Sequence, residues 1–127
     1  MSYFKSDTIT FEAALTDLEG GSEKARVQAA EALADVTTPE QRTRAAKALA
    51  GCLASGPRSL RIAAARSLGE LGQSVGLDAL VDATTSDIPA LRQVALIALG
   101  RLGLSEGFDA ARLALESNSP DARFQAA

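Results

Sequence analysis

The chain is 127 residues long and 46% hydrophobic, with 13 Lys and Arg against 16 Asp and Glu, one Cys, and neither His nor Trp. That length suffices for one domain with a real core, and the mildly acidic balance disfavours a general DNA or RNA surface. A single Cys makes no internal disulfide. No apolar run approaches the roughly 20 residues of a membrane span, and residues 1–7 lack the apolar core of a secretion signal, so a cytoplasmic location is the default expectation.

Taken in order, residues 1–8 form a lead-in, and Thr8 or Thr10 is expected to cap a first helix running to about Glu19. Gly20-Gly21-Ser22 breaks it, and Ser22 caps a second helix to about Val36. Thr38-Pro39-Glu40-Gln41 is the clearest start signal in the chain. Thr38 takes the cap position, Pro39 suits the first helical position, and Gln41 can complete a capping box. That third helix runs to about Ala54. Ser55-Gly56-Pro57 turns into a fourth helix, which begins at Pro57 or Arg58 and ends at Leu71-Gly72, where glycine suits a left-handed terminus. A short helix over 76–85 follows. Asp87-Ile88-Pro89 opens the next, closed by Gly103. Ser105 then caps a helix over 106–116, and Ser119-Pro120 starts a last one. It stops after seven residues, too few for a stable isolated helix, so the chain is expected to be part of a longer array.

Self-comparison shows why these helices come in pairs. Arg61 recurs 31 residues later as Arg92 and 31 later again as Arg123, while Arg26 lies 35 residues before it. All four copies share the register R-x-x-A. A weaker repeat precedes them, seen in Phe11-Glu12-Ala13-Ala14, Leu77-Asp78-Ala79-Leu80 and Phe108-Asp109-Ala110-Ala111. Each unit is therefore helix, turn, helix, with expected bounds 8–36, 38–72, 74–103 and 105–127. Units of this length point to an all-α solenoid, with 1–127 as a single repeat domain.

Helical periodicity divides each second helix into faces. With the repeated Arg at zero, positions −1, +3, +7 and +10 form a core stripe: Ala25, Ala29, Leu33, Val36; Leu60, Ala64, Leu68, Leu71; Leu91, Ala95, Leu99, Leu102. Position +8 is small (Ala34, Gly69, Gly100), which allows close approach of adjacent units. The opposite side carries Val27, Glu31, Asp35; Ile62, Arg66, Glu70; and Gln93, Ile97, Arg101. Glu31, Asp35, Arg66, Glu70, Ile97 and Arg101 are the candidate partner-binding surface, set against a plain solvated face. Arg26, Arg61, Arg92 and Arg123 fall at the edge of the core stripe, where a half-buried guanidinium needs a carboxylate or carbonyl partner. They are expected to be a structural ladder tying one unit to the next, with phosphate or carboxylate binding as the lesser reading.

The motif Leu60-Arg61-x-x-Ala64-Ala65-x-Ser67-Leu68-Gly69-x-Leu71-Gly72, repeated from Leu91 to Gly103, resembles the HEAT-like repeats of the short bacterial type first described in phycobilisome lyases. The first copy departs from it at Asp35-Val36-Thr37. The resemblance implies an all-α, α-α superhelix of about 3.5 HEAT-like hairpins that presents its second helices to a partner. It bears on fold more than on function.

No catalytic, cofactor-binding or metal-binding residue is assigned, and no cofactor is expected. Without His, the His-Glu metal pairs of HEAT-like hydroxylases and any Ser-His or Cys-His nucleophile are excluded. Cys52 aligns with Ala83 and Ala114, as a small core residue does. HEAT-like DNA glycosylases depend on a basic, aromatic-lined face, and only Phe124 among the aromatics falls on that face here. The expected function is a non-catalytic interaction or scaffold module binding a protein or peptide. The alternative is a subunit or chaperone-like component of a lyase handling a prosthetic group, and nucleic-acid binding comes third. The uncapped C-terminal end offers a route to self-association.

Overall fold

The computed structural model describes residues 8–103. Among them lie six α-helices and no strand: α1 (Thr8–Gly20), α2 (Glu23–Leu33), α3 (Pro39–Ser55), α4 (Arg58–Leu71), α5 (Leu77–Ala83) and α6 (Pro89–Gly103). A single 3₁₀ turn, Ser74–Gly76, leads into α5. The fourth expected unit, with Ser105, Arg123 and Phe124, lies outside the described residues.

Local chemistry sets most of the boundaries. The Ser22 hydroxyl accepts from the Ala25 amide at 3.2 Å and starts α2. The Thr38 hydroxyl accepts from the Gln41 amide at 3.3 Å, with Pro39 in the first turn of α3. Each bond satisfies a helix-terminal amide that has no partner within the helix. At the other end of the second hairpin, Gly72 closes α4 at φ 69°, ψ 26°, its amide donating to the Leu68 carbonyl at 3.2 Å. A residue with a Cβ is strained there, and glycine is not.

Three boundaries differ from expectation. Thr8 is already the first residue of α1 and Thr10 lies inside the helix, so neither precedes it as a cap. α2 ends at Leu33 rather than near Val36, and Asp35 sits in the following turn, its amide bonded to the Ala32 carbonyl at 3.0 Å. Asp is a weak helix former, Val36 is β-branched, and this copy lacks the glycine-closed ending of the other two. The short helix expected over 76–85 is shortened to the seven residues of α5, Leu77–Ala83, with the 3₁₀ turn Ser74–Gly76 leading into it.

The helices form two layers. α2, α4 and α6 lie side by side, with α4 packed against both neighbours, and α1, α3 and α5 cover them in sequence. The core runs along the seam between the layers. Of the twelve stripe positions, Ala25 is half-buried and the other eleven are buried. Fully burying each leucine contributes about 1.5–3 kcal/mol, and Phe11 and Leu18 on α1 and Leu49 on α3 complete the apolar interior. The second-helix layer is tight because small residues face each other. A Cβ built on Gly69 would stand 2.7 Å from the Cβ and 2.9 Å from the Cα of Ala98, so α4 and α6 touch through their backbones. On the other flank of α4 the buried Ser67 hydroxyl donates to the Ala30 carbonyl at 2.8 Å and ties α4 to α2. The chain is thus an all-α repeat solenoid, with three helical hairpins among the described residues.

Candidate functional site

Which residues are left over once the fold is accounted for depends first on the arginines. Arg26 donates from Nε to the Leu18 carbonyl at 2.8 Å. Arg61 donates from Nε to the Gly56 carbonyl at 2.7 Å. Arg92 donates from Nη1 to the Ser86 carbonyl at 2.8 Å. Each acceptor lies at or just beyond the C-terminal end of the first helix of the same hairpin, where carbonyls lack helical partners and a cation is favoured. The bonds therefore close each hairpin rather than joining one unit to the next, because the arginine points back over its own turn. The equivalent position Arg123 is outside the described residues.

Arg42 does a related job that the repeat pattern does not mark. It donates from Nη2 to the Leu71 carbonyl and so holds α3 to the end of α4. Position 42 has no arginine one repeat later, where Gln73 stands, so the periodicity carries no signal for it. Glu23 accepts from the Ser59 hydroxyl at 2.6 Å, a further link between α2 and α4.

Cys52 is buried in α3. Burial pushes its thiol above the ordinary range, with Arg26 pulling in the opposite direction. A protonated, enclosed thiol is a poor nucleophile. Among the described residues no group of three or more His, Cys, Asp or Glu is placed to hold a metal ion. No helix there is long and apolar enough to cross a membrane.

The outer side of the second-helix layer is different. Glu31, Asp35, Arg66, Glu70, Ile97 and Arg101 are all exposed. Glu31 lies on α2 and Asp35 in the turn after it, Arg66 and Glu70 on α4, and Ile97 and Arg101 on α6. Val27 and Ile62 beside them are half-buried, and Gln93 is exposed. The face is acidic at α2, mixed at α4, and apolar with a positive charge at α6. Between α4 and α6, Arg66, Val94, Ile97, Ala98 and Arg101 line an open cleft of about 200 Å³. Ile97 is 48% exposed, one of two large hydrophobic side chains so placed among the described residues. Arg101 approaches Glu70 at 3.9 Å, with both side chains about half exposed. Such a pair contributes about 0–1 kcal/mol.

Two further clefts lie between first helices. One of about 430 Å³ separates α3 from α5, with Arg61, Asp82 and Asp87 on its walls. The other, about 540 Å³, separates α1 from α3. There Arg44 pairs with Glu12 at 2.8 Å and stands over the Phe11 ring at 5.1 Å. The hydrogen bond that Arg44 donates to the Glu12 carboxylate raises the Arg44 pKa above its ordinary value. The arginines of both clefts are held by bonds within the fold, Arg61 to the Gly56 carbonyl and Arg44 to Glu12.

No curated protein matches the chain. Residues 60–85 match the family model of the PBS lyase HEAT-like repeat. The matched segment covers all but the first two residues of α4, the 3₁₀ turn, all of α5 and the two residues after it. The glycine-closed second helix, the close α4–α6 seam and the paired helices on either side accord with that match: residues 60–85 are similar to a HEAT-like repeat and sit within an all-α repeat solenoid.

Proposed function

We propose that this chain is a non-catalytic interaction module, and that it binds a protein or peptide across the layer formed by α2, α4 and α6. HEAT-like repeats are interaction or lyase-associated modules and are generally non-catalytic. The observation that carries the reading is the division of labour among the charged residues. Arg26, Arg61 and Arg92 spend their donors on helix-terminal carbonyls. Arg66, Ile97 and Arg101 line an open cleft, and the fold makes little use of them. Ile97 together with Val94 and Ala98 gives the cleft an apolar floor rimmed by two guanidiniums, the apolar-centre, charged-rim pattern of an interface.

The experiment is affinity capture from the native source with two reversed surfaces. The variant Glu31→Lys/Arg66→Glu/Arg101→Glu is expected to lose the partners that the unaltered chain retains. Lys47→Glu/Asp78→Lys, on exposed positions of α3 and α5, is expected to keep them. Equal capture by both variants would remove the basis for the reading. The family description also supports a lyase-associated role. A chromophore absorbance that co-purifies with the chain would favour that role over a purely peptide-binding one.

A further inference from the structure

Resting on the interaction reading above, we infer that the α4–α6 cleft recognises an acidic-hydrophobic peptide segment: a carboxylate side chain seated between Arg66 and Arg101, with an adjacent aliphatic or aromatic side chain packed on Val94, Ile97 and Ala98.

The argument is one of charge, shape and size. Among the described residues Arg66 makes no hydrogen bond or ion pair, and Arg101 has only its 3.9 Å contact with Glu70. Two guanidiniums thus border the same cleft with most of their donors unused. A guanidinium presents several N–H donors in a planar fork and pairs with carboxylates through charge-assisted bonds. The floor between them is apolar, so the occupant must bring an apolar group next to its charge. A cleft of about 200 Å³ is smaller than the roughly 300–1,000 Å³ of ordinary cofactor or small-molecule sites, and suits side chains from a segment laid across two helices. A nucleic-acid backbone fits less well. Glu70 stands beside the arginines, Glu31 and Asp35 extend the same face with negative charge, and the whole chain carries a formal charge of −3. A long polyanion would meet repulsion within a few residues. A short segment would instead take its orientation from the acidic end of the face, with its carboxylates toward α6 and away from α2.

The test uses the full chain and a phage-displayed library of random dodecapeptides, with recovered peptides synthesised and affinities read by fluorescence anisotropy. Recovered peptides are expected to carry Asp or Glu within two positions of an aliphatic or aromatic residue. Arg66→Glu/Arg101→Glu should weaken them at least about tenfold while leaving the Tm unchanged. Ile97→Ala should weaken them several-fold, and raising salt should weaken them further. The single variants Arg66→Gln and Arg101→Gln preserve the test if the double reversal unfolds. Peptides without acidic residues, or acidic peptides indifferent to all four variants, would overturn this inference and leave the interaction reading intact. A selection that recovers no binder would overturn both. Tighter binding of a labelled single-stranded DNA than of any acidic peptide at 150 mM salt would also overturn it.

Discussion

At the scale of single residues, the glycines separate two effects that look alike in the sequence. Gly51 and Gly69 both lie inside helices, α3 and α4. A Cβ on Gly51 meets nothing within 4 Å, whereas a Cβ on Gly69 would strike the Ala98 backbone. In a helix interior Ala is favoured over Gly by up to about 1 kcal/mol. Gly51→Ala should therefore raise stability by about 0.5–1 kcal/mol. At Gly69 the same gain is opposed by overpacking of about 1–3 kcal/mol, so Gly69→Ala should lower stability. Urea denaturation of the two variants checks the opposite signs. A stabilised Gly69→Ala protein would show that α4 and α6 can separate at no cost.

At the scale of elements, each hairpin is closed by a cation placed over the end of its own first helix. Hydrogen bonds involving a charged group contribute about 1.5–3 kcal/mol, and the three described arginines are only half-buried, which places them toward the lower end of that range. Arg61→Ala is expected to cost about 1–2 kcal/mol, since it also leaves the Gly56 carbonyl without this donor. Arg66→Ala, five residues further along the same helix but exposed, should change stability by no more than about 0.5 kcal/mol. Thermal melts of both variants test the contrast, and similar losses would place Arg66 among the structural residues. The pair is informative because the two arginines are indistinguishable by residue type and differ only in which face of α4 they occupy.

At the scale of the whole molecule, the hairpins are coupled mainly through the second-helix layer. α4 is held on three sides, by α2, α3 and α6, and its seams include the Ser67–Ala30 bond and the Gly69–Ala98 contact. In a stacked repeat array stability is approximately a sum of unit and nearest-neighbour terms, so the element with the most packed neighbours should open least. Hydrogen exchange followed by mass spectrometry should find the slowest amides in α4 and faster exchange in α1, which packs mainly on α2. Uniform protection across α1 to α4 would mean that the array unfolds as a single cooperative block.

The hairpin order, the Ser22 and Thr38 caps, the Gly72 terminus and the core stripe were all legible in the sequence, because capping and a 3.6-residue period act within a few neighbours along the chain. The early end of α2 was also partly written there, in Asp35-Val36-Thr37 replacing the glycine-closed motif. The acceptors of the arginines were not, since a spacing shows that a guanidinium is half-buried but not which carbonyl it meets. The same is true of Arg42, which reaches the end of a helix 29 residues away in sequence. Arg66, Ile97 and Arg101 could each be assigned to an exposed face. That they line one cleft follows from the close approach of α4 and α6 at Gly69 and Ala98, and only the packing of one helix against another decides that distance.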